Sequence, residues 1–209
     1  MKVQCLCENK FEVTPVTHID LDADPSFIDK IKSGSFNSFR CPKCGSAVRP
    51  DVAMHISWKQ KGIKLVCIPE KKRYLCLAFS KNEKLASKSG EACPFEKDES
   101  PVIGMWELLD RLNCINAELD PTVLEALKFV VLDGAKNDKS KLEIAFKGVS
   151  ENKLEFFVDG MGEKIGIIGV PSSLYENMAQ DYRKSKKKDI FAAVVVGPYI
   201  SYKNVFVEN

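Results

Sequence analysis

The chain is poor in histidine, with only two among 209 residues, and it carries almost no excess charge: 31 Lys and Arg face 29 Asp and Glu, a formal net of +2. Two histidines leave little room for the Ser-His-Asp, Cys-His or metal-hydrolase constellations that most hydrolytic sites need. A near-neutral balance gives no global field to draw the protein to nucleic acid or to an anionic membrane. Long apolar runs are missing too. The longest, residues 190–196, is far too short to cross a bilayer, so no membrane role is expected. The stretch Met1-Lys2-Val3-Gln4-Cys5 has no apolar core of the secretory kind, which makes a reducing cytoplasm the expected location. The glycine-rich stretches around 160–162 and 166–169 have no Lys-Ser/Thr after them and so lack phosphate-loop spacing; turns and bulges account for them.

Cysteine, by contrast, is plentiful. There are eight, and in a reducing compartment they are better read as metal ligands and buried thiols than as disulfides. Cys41-Pro42-Lys43-Cys44-Gly45 is a tight knuckle, and Cys5-Leu6-Cys7 is a second pair upstream. Two cysteines with two residues between them can fold back so that both thiolates reach one ion at about 2.3 Å. Pro42 presets a turn, and Gly45 permits the close backbone approach that aims amides at sulfur. Four soft thiolates suit zinc, in a closed structural site with no position left for water. Cys5 and Cys7 are closer than the usual pair, and alternate strand residues point to opposite faces, so the chain must turn at Leu6 for both to bind. His18 and His55 are read as surface strand residues and not as substitutes in the metal shell.

Local patterns place these pairs in a mixed α and β context. Short strands are expected around 2–7, 10–19 and 48–58. Asp24-Pro25 opens a helix that carries Phe27, Ile28 and Ile31 on one face and stops at Gly34. Residues 63–68 and 74–79 read as an antiparallel hairpin, with Cys67 and Cys76 on facing strands. Residues 81–100 read as a long polar loop. Cys67, Cys76, Cys93 and Cys114 match no zinc spacing and are read as buried thiols. Ser100-Pro101 and Asp120-Pro121 repeat the cap-then-proline device, predicting a helical hairpin whose carboxylates (Glu107, Asp110, Glu118, Asp120, Glu125) fall mostly on outward faces. After a polar break at 136–141 come a second hairpin, a third strand, a helix from Pro171, and strands at 190–196 and 199–207.

The knuckle at 41–45, preceded by Asp24-Pro25 with its helix and by residues 36–39, resembles the CpXC family, which takes its name from paired Cys-Pro-X-Cys motifs. The resemblance covers about residues 1–136 and implies four metal-ligand positions, here Cys5, Cys7, Cys41 and Cys44. Cys-Leu-Cys replaces the first Cys-Pro-X-Cys. The family carries no established activity to transfer.

The fold expected is therefore α+β: a zinc-ribbon-like antiparallel sheet with an inserted helix and a helical hairpin (residues 1–136), followed by a small α+β module (residues 137–209). The function expected is that of a non-enzymatic, zinc-binding interaction or scaffold protein with an unidentified protein partner; a homodimer through hairpin edges is open to it. The alternative is a nucleic-acid-binding zinc protein that contacts phosphates through Arg183, Lys184, Lys186, Lys187 and Lys188, with Tyr182, Tyr199 and Tyr202 as stacking platforms. The bland account of that cluster is a set of cations complementing a helix carboxyl end.

Overall fold

A computed structural model of the chain describes residues 1–81, 92–134, 142–160, 165–184 and 189–206. The fold is α+β. Its first unit is a pair of small ribbons. Strands β1 (Lys2–Gln4) and β2 (Lys10–Glu12) form one, and β4 (Phe39–Arg40) and β5 (Ala47–Val48) form the other. Each cysteine pair occupies the turn of one ribbon.

Between the ribbons the chain lays down β3 (His18–Asp20) and helix α1 (Ser26–Lys32). Asp24 starts the helix as its sequence suggests, accepting the Ser26 amide at 3.0 Å and the Ser26 hydroxyl at 2.5 Å. Gly34, with φ +69, ends it in the left-handed region. Strands β6 (Met54–Trp58) and β7 (Ile63–Ile68) then form a hairpin, and β3 and β8 (Ser100–Ile103) flank it in the order β3-β6-β7-β8. The sheet is mixed: β3 runs parallel to β6, and β8 parallel to β7. Alternation along the strands sends Ile19, Ile56, Leu65, Cys67 and Val102 to one face. There they join Ile31, Phe36, Leu108 and Leu112 in a buried core.

Three local expectations are corrected. Residues 74–79 are not a strand. Arg73–Lys81 is a helix, α2, so Cys76 does not face Cys67 across a ladder. A short apolar run fits either a buried strand or one face of a helix, and here Pro69 and a charged turn turn the chain out of the sheet. Ser100-Pro101 does not open a helix but lies in the edge strand β8, where the missing proline amide costs no ladder bond. The helix, α3, begins at Gly104 (φ +74) and spans Gly104–Asn116, with the Glu107 carboxylate accepting the Ile103 amide at 2.8 Å. Of the strands expected at 190–196 and 199–207, the described residues, which end at 206, form the two-residue strands β12 (Val195–Val196) and β13 (Tyr199–Ile200), between a short helix, Asp189–Ala193, and a 3-10 turn, Tyr202–Phe206.

Helix α4 (Pro121–Asp133) follows its predicted cap, with Asp120 Oδ1 accepting the Thr122 and Val123 amides at 2.8 and 3.3 Å. It is apolar on nearly every side and is buried accordingly. The meander β9 (Glu143–Ser150), β10 (Lys153–Asp159), β11 (Gly166–Pro171) supplies Ile144, Phe146, Leu154, Phe156 and Val170 to a second core with Leu124 and Leu127. Helix α5 (Ser172–Lys184) closes over α4 through Ala179 and Met178. Helix α3 contributes to both cores, Leu108 and Leu112 to the first and Cys114 to the second. The predicted break at 136–141 lies in residues 135–141, outside those described.

Candidate metal centre

The two ribbon turns bring Cys5, Cys7, Cys41 and Cys44 together, with their sulfur atoms all within 4.8 Å of one another. The first turn doubles back tightly. Glu8 donates its amide to Cys5 O at 2.8 Å, Cys5 donates to Asn9 O at 3.0 Å, and Glu8 takes a left-handed φ of +65. Leu6 is thrown fully outward, which is how a Cys-x-Cys pair avoids the opposite-face problem of a strand. In the second turn Gly45 (φ +73) donates to Cys41 O at 2.8 Å, and Cys41 donates to Ser46 O at 2.9 Å. The Arg40 guanidinium ties down Gly45 O at 3.1 Å.

Cys5 Sγ lies 3.5 Å from Cys44 Sγ, and Cys7 Sγ lies 3.7 Å from Cys41 Sγ. Those are not disulfide distances. Four sulfurs at about 2.3 Å from a tetrahedral ion would stand about 3.8 Å apart, close to what is seen. Asn9 Nδ2 donates to Cys41 Sγ at 3.6 Å. Desolvation opposes ionisation of Cys41, but the Cys44 and Lys43 amides and the Asn9 side chain outweigh it and lower its pKa. The Ser46 hydroxyl and amide hold Cys44 down to about 6. The Cys7 amide pulls Cys5 the same way, yet desolvation and the neighbouring sulfurs win and push it up to about 12. Without a cation the four thiols cannot all ionise, because like charges crowd one another. A cation removes that conflict, and Cys5 and Cys41 are buried enough to shield it.

His18 and His55 lie outside this cluster, on the sheet. Of the remaining cysteines, Cys67, Cys76 and Cys114 are buried as expected. Cys93 is exposed, which corrects the expectation for it. In the basic cluster, Arg183 and Lys184 form the last turn of α5, while Lys186, Lys187 and Lys188 lie outside the described residues. The stacking platforms expected beside it are not available. Tyr199 and Tyr202 are core residues, and Tyr182 packs on Phe191 with ring centres 5.0 Å apart. The helical carboxylates also depart from expectation, since Asp110 and Glu125 are buried. Sequence reasoning missed both this pair and the convergence of the two histidines. Neither has a local signal, because both depend on contacts between distant segments.

The site and its setting match a known family. The family model described as "CpXC protein" matches residues 3–128, so the chain belongs to the CpXC family. It is also similar to an uncharacterized protein of Treponema pallidum (strain Nichols), 34% identical over 218 residues that take in 100% of this chain and 99% of that one. The likeness therefore continues through the carboxyl-terminal meander and helices. No solved structure matches.

Proposed function

We propose that the protein is a zinc-binding interaction or scaffold protein, without catalytic activity, in which Zn²⁺ held by Cys5, Cys7, Cys41 and Cys44 locks the two amino-terminal ribbons together. The observation that carries this reading is the sulfur spacing of 3.5–3.7 Å at the facing ribbon turns. Four cysteine ligands complete a tetrahedron and leave no coordination position for substrate or water, so the ion is structural. Zinc is favoured over other divalent ions because an all-thiolate tetrahedral set suits a soft, redox-silent cation. The ion thereby holds a rigid amino-terminal knuckle with Leu6 and Lys43 on its outer surface, suited to contact with a protein partner in the cytoplasm.

Native mass spectrometry of the full chain tests this. One zinc per chain is expected, lost in Cys41→Ser and in Cys5→Ser. A chain that purifies without metal and takes up none, or a Cys5→Ser variant that keeps its zinc, would overturn the four-thiolate assignment.

A further inference from the structure

The two histidines of the sequence meet in space. Register pairing in the parallel β3–β6 ladder sets His18 beside His55, and their rings stack with centres 5.1 Å apart at 17°. They sit on the sheet face opposite Ile19 and Ile56, the face whose far part, at Val66 and Ile68, is buried in a separate apolar cluster. Ile19 and Ile56 point inward, while His18, Asp20, His55 and Ser57 line an open pocket of about 370 Å³ with Lys64, Glu96 and Glu99. The residues just before β8 cover one side of it.

Glu99 gives this face a built character. Its side chain is only 7% exposed. One carboxylate oxygen accepts a hydrogen bond from His55 Nδ1 at 2.6 Å, and the other accepts the Glu96 amide at 2.9 Å. A carboxylate acceptor at Nδ1 fixes the His55 tautomer and leaves Nε2 with a free lone pair. This is the outer-shell arrangement that supports histidines bound to metals. His18 Nδ1 lies 3.1 Å from the Thr17 hydroxyl; with Nδ1 as the donor of that bond, Nε2 carries the lone pair. Among the charged residues of the pocket, Asp20, Glu96 and Glu99 outnumber Lys64, and Lys64 is itself paired with Asp98. The excess negative charge favours a cation over an anionic ligand. Asp20 is occupied by the turn it accepts at Asp22 and Ala23, so Glu96, exposed at the rim, is the carboxylate free to turn inward.

We propose that this pocket is a second metal site, in which the imidazoles of His18 and His55, with Glu96, bind a first-row divalent ion and the buried Glu99 orients His55. Imidazole with carboxylate is a donor set for nickel, cobalt, copper or zinc, harder than the thiolate cluster and open to solvent on one side. The donors are not yet gathered: among the described residues only the four cysteines already bring three or more ligand atoms within reach of one ion. Two nitrogens on one ion at about 2.1 Å each stand no more than about 4.2 Å apart, so the stacked rings must tilt together. Exposed His18 has the freedom to do so. An open site of this kind binds reversibly. It fits sensing or transfer of an ion better than a fixed structural role. The proposal does not depend on which ion the cysteines hold.

With two histidines in the chain, their ring signals in a proton NMR spectrum are a direct probe. The full chain is loaded with one equivalent of zinc and titrated with Ni²⁺. Both ring signals are expected to shift or broaden together, with one midpoint, as a second equivalent binds. His18→Asn should abolish the response of His55. Glu99→Gln should raise the midpoint about 10–100-fold while His18 and His55 still respond together. Ring signals that stay unchanged to millimolar Ni²⁺, or that respond with two separate midpoints as independent surface histidines would, overturn the proposal. So does an unaltered His55 response in His18→Asn.

Discussion

Lys128 Nζ lies 2.6 Å from Asp110 Oδ1 and 2.7 Å from Glu125 Oε1, with all three side chains at least 95% buried. Each carboxylate also accepts a backbone amide. Asp110 accepts the Phe146 amide at 2.5 Å, and Glu125 accepts the Tyr202 amide at 2.9 Å. Arg111, next to Asp110, donates to Ile200 O at 2.9 Å. The ions thus tie α3 and α4 to strand β9 and to the carboxyl-terminal turn, fixing one register among several that an apolar core would tolerate. Removing the cation alone strands two carboxylates in the interior. Lys128→Met is expected to cost about 3–5 kcal/mol in urea denaturation at neutral pH. The pH dependence has a definite sign. Burial holds the Asp110 carboxyl up near 6 despite Lys128, and without the lysine it rises further. A carboxyl raised in the folded state keeps a proton that the unfolded chain releases between about 3.9 and the folded value. The deficit of Lys128→Met should therefore shrink as pH falls from 8 to 5.5. A deficit that grows on acidification would contradict this account.

Chelation should unfold the chain locally. Neither apolar core includes Cys5 or Cys41, and both cores are assembled by α1, α3, α4 and the two larger sheets. The ribbons, of two and three residues per strand, have little besides the ion to hold them. Structural zinc contributes on the order of 10 kcal/mol in small zinc peptides, but here that energy is confined to the ribbons. With a strong chelator, amide hydrogen exchange at Cys5, Cys41 and Gly45 is expected to reach the rate of open loops, while Leu124 and Leu127 keep their protection. Global loss of protection would mean that the metal nucleates the whole fold.

Metal uptake should strengthen with pH. In the free site Cys5 is pushed up to about 12 and so is protonated at neutrality, whereas Cys44, held near 6, is already a thiolate. Binding needs all four thiolates, so protons leave as the ion enters. Competition titration with a zinc chelator should show affinity rising steadily from pH 6.5 to 8.5. Calorimetry in buffers of different ionisation enthalpy should show net proton release at pH 7. Uptake without proton release would mean that Cys5 is not a ligand.

The legible parts of this sequence are those whose signal is local. The Cys-Pro-Lys-Cys-Gly knuckle, the Asp24-Pro25 and Asp120-Pro121 helix starts and the β9–β10 hairpin each announce themselves within a few residues, and the structure has them. Residues 74–79 were illegible because six apolar positions fit period 2 and period 3.6 about equally well. Ser100-Pro101 misleads because proline suits the first turn of a helix and an edge strand alike. Asp110, Glu125 and Lys128 look like surface charges until β9 and the final turn cover them. His18 and His55 look like isolated strand residues until a parallel register sets them side by side. In these cases the deciding partner is tens of residues away.

The carboxyl-terminal turn at Gly197 offers a test of how tightly that last segment is docked. Gly197 has φ +55, and a Cβ built there would fall 2.5 Å from the carbonyl oxygen of Ser80 near the end of α2. The obstacle is backbone, so it cannot swing aside as a flexible side chain would. Gly62 has a similar φ of +64 but nothing within 4 Å of its Cβ position. Gly62→Ala should lose only the left-handed preference, about 1 kcal/mol. Gly197→Ala should lose that plus the cost of prising β12 and β13 from α2, for a total of about 2–4 kcal/mol. The added cost should appear as faster exchange at the Tyr199 and Ser201 amides, because Tyr199 anchors the segment by donating its hydroxyl to Glu107 at 3.0 Å and accepting from Arg73 at 3.0 Å. Equal destabilisation by the two substitutions would show that the turn does not press on α2 in solution.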